Sequence, residues 1–137
     1  MRYQFRPNKA FTFGTGLHAK TESLTNYTAQ VEDENGNIIQ PNFDLDMTRS
    51  AHFVLGYEQM LASDIQFKAE AYYQHLYNMP VENDPTSSFS LHNTVGWFTT
   101  KELVNEGKGY NYGIEMSVEK FFTRNYNFLV TASVFNS

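Results

Sequence analysis

Ile65-Gln66-Phe67-Lys68-Ala69-Glu70-Ala71-Tyr72-Tyr73-Gln74-His75-Leu76-Tyr77 is the stretch that decides how this chain folds. Ile65, Phe67, Ala69, Ala71 and Tyr73 occupy alternate positions, and Gln66, Lys68, Glu70 and Gln74 fill the gaps between them. A period of two puts one set on each face of a half-buried β-strand.

The same alternation recurs on both sides. Residues 2–6 put Tyr3 and Phe5 on one face, and 10–21 set Phe11, Phe13, Leu17 and Ala19 against Thr12, Gly14, Gly16, His18 and Lys20. Residues 50–61 set Ala51, Phe53, Leu55 and Tyr57 against His52, Gly56 and Glu58. Further on, Tyr112, Ile114, Met116 and Val118 oppose Asn111, Glu115, Ser117 and Glu119, and Phe128, Val130, Ala132 and Val134 oppose Asn127, Thr131 and Ser133. No comparable segment has a helical period. Residues 101–106 have room for one helical turn, which Asn105, Gly107 and Gly109 would stop. The expected fold is all-β, an antiparallel up-and-down meander of about six strands.

Composition agrees. Of 137 residues, 16% are aromatic and 18% charged, and the 9 Tyr and 12 Phe dwarf the single Trp. Tyr and Phe favour pleated, half-buried surfaces. The length suits one domain. A formal net charge of −5, with the 10 basic residues scattered, excludes the clustered footprint of a nucleic-acid partner. With no cysteine there is no disulfide framework, thiolate metal site or thiol nucleophile. There is no apolar run of transmembrane-helix length, and no apolar stretch of a signal peptide follows Met1.

The connections are more informative than the strands. Pro7-Asn8-Lys9, Ala62-Ser63-Asp64 and Thr123-Arg124-Asn125 read as tight turns. They alternate with two long connections, about 22–49 and 78–109. In a meander, alternate connections lie at the same end of the sheet. A compact domain seldom carries two such loops, because most connections are about 4–6 residues long. Outer-membrane barrels have this asymmetry as a rule. Phe11, Phe13, Phe67, Phe121, Phe122, Tyr126 and Phe128 gather toward the tight turns, and Tyr73, Tyr77, Tyr110 and Tyr112 toward the long loops, as two interfacial girdles would. An ordinary aromatic core gives the same composition. A soluble lipocalin-like or β-meander ligand-binding module therefore stays open as the alternative.

Several strings resemble the C-terminal barrel portion of TonB-dependent outer-membrane receptors of the carboxypeptidase-regulatory-like-domain-containing type. They are FGTGLHAKTE (13–22), AHFVLGYEQML (51–61), FKAEAYYQHLYNMPVEND (67–84), SSFSLHN (87–93) and ELVNEGKGYNYGIEMSVEKFFTRNYNFLVTASVFNS (102–137). The resemblance spans nearly the whole chain in order and is weak only over 22–48. It implies a 22-stranded barrel around an N-terminal plug, in the outer membrane of a Gram-negative bacterium, importing a scarce ligand. The partners it implies are outer-membrane lipid, the remaining strands and plug of the same receptor, and TonB through the plug and TonB box. Neither plug nor TonB box is found in 1–137. Six strands fall short of the roughly eight that close a membrane barrel, so the expectation is a fragment of the barrel wall with both ends cut.

No catalytic arrangement emerges, and the expectation is no enzyme and no cofactor. Glu115 and Glu119 share a face but sit about 13 Å apart along a strand, beyond the roughly 5–9.5 Å of a glycosidase pair. His18, His52, His75 and His92 have no metal-ligand spacing. His18 and His52 fall on the polar face, where paired strands could make them neighbours, and His75 falls in phase with the apolar face. Asp33-Glu34-Asn35-Gly36-Asn37 lacks the glycine and glutamate of a calcium loop. Asn35-Gly36 reads instead as a type I′ hairpin turn. Gly107-Lys108-Gly109 precedes a strand and is no phosphate cradle. Asn26-Tyr27-Thr28 is a formal glycosylation sequon that reads as chance. Ligand-contact candidates are the polar-face residues near the long loops, His18, Lys20, His52, Gln74 and Asn111, with the loop residues His92, Trp97 and Phe98. Trp97 serves equally well as a packing anchor for its loop.

Overall fold

A computed structural model of the chain describes residues 1–33, 35–93, 98–123 and 125–137. The fold is all-β. Six strands, β1 (Arg2–Arg6), β2 (Lys9–Lys20), β5 (Thr48–Ala62), β6 (Ile65–Glu82), β7 (Leu103–Thr123) and β8 (Tyr126–Asn136), form one sheet in the order β1-β2-β5-β6-β7-β8. The β1–β2 and β7–β8 pairs are antiparallel, and the order is that of a meander. The connection 21–47 holds a single helical turn, α1 (Leu24–Tyr27), and a small hairpin of β3 (Val31–Glu32) with β4 (Ile38–Ile39).

The alternation read from the sequence sets the faces. Ile114 pairs with Val134, Met116 with Ala132 and Val118 with Val130, while Glu115 pairs with Ser133 and Ser117 with Thr131. Over the central pairs apolar residues thus meet apolar residues on one face and polar residues meet on the other, while toward the ends Glu119 pairs with Leu129 and Gly113 with Phe135.

The chain packs as two compact units. The first comprises Met1–Gly16, Ala51–His75 and Tyr110–Ser137, and holds all three tight turns. The second comprises Leu17–Ser50 and Leu76–Gly109, and holds both long connections.

In the first unit the turns interlock. Met60 N donates to Asn8 O at 2.9 Å, Asn8 Nδ2 donates to Met60 O at 3.2 Å, and Phe121 N donates to Asp64 O at 2.8 Å. A row of rings crosses four strands on the apolar face: Phe5 stacks on Phe11 at 5.1 Å, Phe11 meets Tyr57 at 5.3 Å, and Tyr57 meets Phe67 edge-on at 6.4 Å. Tyr110 and Tyr112 stack at 6.1 Å. Ala10 is the only buried apolar residue of this unit among those described, so its sheet is a single layer. Every residue of β8 is exposed.

The second unit has a small core of Ala29, Met79, Leu91 and Leu103, with Asn26 and Asn42 buried among them. Asn42 replaces backbone pairing where two segments meet. Its Oδ1 accepts from Leu103 N at 2.8 Å and its Nδ2 donates to Lys101 O at 2.9 Å. Asn105 does the same nearby, with Oδ1 accepting from Asp46 N at 2.8 Å and Nδ2 donating to Asn78 O at 2.9 Å.

The structure corrects three local expectations. The second long connection is 83–102 and not 78–109, because β6 and β7 run further than Asn78, Pro80, Gly107 and Gly109 suggest. Asn78 takes a positive φ of 55° and the strand resumes after it. Gly107 lies where a Cβ would stand 2.7 Å from both Met79 O and Val81 Cγ1, so the glycine marks a close strand crossing and not a loop. Residues 101–106 form no helical turn, since Leu103 already starts β7, held by Asn42. The β3–β4 hairpin exists, but its turn is not type I′, which needs positive φ at both central residues. Gly36 has φ 81° and Asn35 does not share it. Asp33 organises the turn instead, with Oδ1 accepting from Asn35 N at 2.9 Å and Asn37 N at 2.8 Å. The backbone and side-chain amides of Asn37 hold the Asp33 carboxyl below its ordinary range, with Asn35 N adding to them.

Candidate functional site

Three of the sequence candidates converge in the first unit. Gln74, on β6, donates from Nε2 to His52 Nε2 of β5 at 3.0 Å, and its Oε1 accepts from Asn111 Nδ2 of β7 at 2.8 Å. The strands bring these side chains together because each occupies the polar phase of its own alternation. The result is a half-buried, hydrogen-bonded line across three strands. It offers donors and acceptors but no nucleophile.

One strand-step away on the same face, Tyr72 leans over Gly113. A Cβ there would lie 2.8 Å from Tyr72 Oη and 2.8 Å from Val134 O. Gly113 pairs with Phe135, so Tyr72 and Phe135 flank a position without a side chain. A cavity of about 490 Å³ opens at this place.

His92 lies in the second unit, where it acts as a clasp. Its Nε2 is 3.0 Å from Glu22 Oε1 and 3.3 Å from Thr48 Oγ1, and Thr48 Oγ1 donates to Glu22 Oε1 at 2.8 Å. The connection 83–102 is thereby tied to both ends of the connection 21–47. Glu22 and Thr48 carry no signal in the sequence, because 70 residues separate Glu22 from His92.

Lys20 and His18 are exposed residues of the second unit, Phe98 is exposed in its loop, and Trp97 lies outside the described residues. The sequon at Asn26 is closed, since Asn26 is 1% exposed and its Oδ1 accepts from Thr99 N at 3.0 Å. Among the described residues no group of three His, Asp or Glu side chains is arranged to hold a metal ion.

Sequence reasoning missed a basic anchor in the first unit. Lys120 falls in the apolar phase of β7, yet it is 6% exposed and fully engaged. Its Nζ contacts Asp64 Oδ2 at 2.7 Å, bonds Thr123 Oγ1 and sits 4.4 Å above the Tyr126 ring. No family model matches this chain, and no curated protein matches it.

Proposed function

We propose that this chain is a stretch of wall from a transmembrane β-barrel of a bacterial outer membrane, of the TonB-dependent receptor type, and serves the import of a scarce ligand. The observation that carries this reading is the uncovered apolar face of the first unit. Phe53, Leu55, Ile114, Met116, Val130 and Val134 all stand exposed on a single-layer sheet. A soluble protein seldom leaves an apolar patch of more than a few hundred Å² open. Against lipid the same patch carries no penalty.

Two further features support it. The Phe5–Phe11–Tyr57–Phe67 row lies beside the tight turns, as an interfacial girdle does. Strands β2, β5, β6 and β7 have 12, 15, 18 and 21 residues, all beyond the roughly 9–11 needed to cross a bilayer. Among the described residues no helix is long and apolar enough to cross, which has no bearing on crossing by strands. On this reading the polar face, with His52, Gln74, Asn111, Glu115 and Ser117, lines the lumen.

The absence of cysteine makes the test direct. Single-cysteine variants at 114, 115, 116 and 117, spin-labelled in liposomes, should alternate: oxygen relaxes labels at 114 and 116, and a water-soluble nickel complex relaxes those at 115 and 117. Uniform access to the nickel complex would overturn the membrane reading. So would a detergent-free monomer with a cooperative melt, which is the behaviour of the soluble binding module. For the receptor assignment, the gene upstream should encode a plug domain, and an unrelated gene immediately before this chain would overturn it.

A further inference from the structure

A second cavity, of about 430 Å³, lies wholly within the second unit, where the end of β6 meets the connection 83–102 and the start of β7. Its volume falls within the range of small-molecule clefts, about 300–1,000 Å³. Glu82, Asp84 and Glu106 line it, together with Phe89, Pro85 and Ser90.

Two independent observations bear on what it holds. Ser90 is 8% exposed, and its Oγ is buried without a hydrogen-bond partner among the described residues. Buried hydroxyls are normally satisfied, and one that is not calls for a missing partner. The wall, moreover, already recognises one ammonium: Lys101 Nζ lies 2.7 Å from Glu82 Oε2 and 4.8 Å above the Phe89 ring. Carboxylate plus aromatic face is the chemistry that selects an organic cation.

Asp84 stays ionised beside it. The backbone N–H of Thr86, then its hydroxyl, hold the Asp84 carboxyl below the ordinary range, and the charge of Lys101 adds to this. A bare metal ion fits poorly, because no three acidic side chains among the described residues converge on one point.

We propose that this cavity binds a small organic amine, its ammonium held by Asp84 and Glu106 and its N–H accepted by Ser90 Oγ. The site uses residues of the second unit alone and does not depend on the membrane reading.

Calorimetric titration of the whole purified chain with spermidine, at low ionic strength where surface charge is least screened, tests it. Saturable binding is expected, and Glu106→Gln and Ser90→Ala should each weaken it about tenfold, the scale of one charge-assisted hydrogen bond. Ser90→Ala should at the same time raise the melting midpoint of the free protein, because it removes an unsatisfied hydroxyl. No saturable binding would overturn the proposal. Weakening by Glu106→Gln alone would overturn it too, reducing the site to a diffuse negative patch, as would equal displacement of spermidine by magnesium.

Discussion

Lys120 Nζ reaches 2.7 Å from Asp64 Oδ2, joining the turn between β5 and β6 to the far end of β7 across 56 residues of sequence. Thr123 Oγ1 donates to the same carboxylate oxygen. Lys120 falls in the phase of Ile114, Met116 and Val118, so it is an ammonium at the turn end of an apolar stripe, neutralised by a partner from the neighbouring hairpin.

The bonds from Lys120 and then Thr123 hold the Asp64 carboxyl below the ordinary aspartate range. A depressed folded value contributes stability that is present above the unfolded pKa, about 3.9, and is lost as pH falls through the folded one. Acid unfolding below about pH 4 should therefore include an Asp64 component. Asp64→Asn should flatten that limb of the melting curve, and Lys120→Met should shift the NMR titration midpoint of Asp64 upward.

Asn42 is 0% exposed and bonds two backbone groups of another segment, Leu103 N and Lys101 O. Asn42→Ala strands both and should cost about 2–6 kcal/mol in denaturant unfolding, at about 1–3 for each buried group left unmet. Hydrogen exchange at the Leu103 amide should accelerate most.

Gly107 and Gly14 should respond differently to alanine. At Gly107 the new Cβ meets Met79 O at 2.7 Å, a backbone atom that cannot swing aside, whereas at Gly14 the nearest atom is Val54 Cβ at an ordinary 3.8 Å. Gly107→Ala should destabilise by about 1–3 kcal/mol, the range of overpacked sites. Gly14→Ala should be neutral within the error of the same unfolding curve.

Met116 and Ser117 are adjacent on β7 and belong to opposite faces. If the chain is the membrane wall proposed above, Met116→Arg should cost about 2–4 kcal/mol in a bilayer, as lipid-facing arginines near the midplane do. Ser117→Arg should be tolerated. Refolding equilibria in liposomes distinguish the two.

The legible part of this fold was the part governed by a period of two. Every stretch that alternates, such as Ile65 to Tyr73, is strand, and the three tight turns fall where Asn8, Ser63 and Asn125 announce them. Asn78 and Gly107 misled for different reasons: Asn78 takes its positive φ inside a strand, and Gly107 sits where the neighbouring strand leaves no room for a Cβ, which only the partner strand reveals. His52, Gln74 and Asn111 could be grouped in advance because all lie in the polar phase of regular strands. The Glu22–Thr48–His92 clasp, Asn42 and the Lys120–Asp64 pair depend on register and loop path, which a local pattern does not carry.

The interlocked tight turns have a consequence for the time course of folding. Three hairpins, β1–β2, β5–β6 and β7–β8, are each closed by a turn of a few residues, and an isolated hairpin forms in about 1–10 μs. The slow event is then their assembly across the connections 21–47 and 83–102. Doubling such a connection costs only about 0.6 kcal/mol of closure entropy. Insertions there should leave the pace of assembly almost unchanged, whereas a single residue added at Pro7-Asn8 would throw Asn8 out of register with Met60 and delay the first docking step.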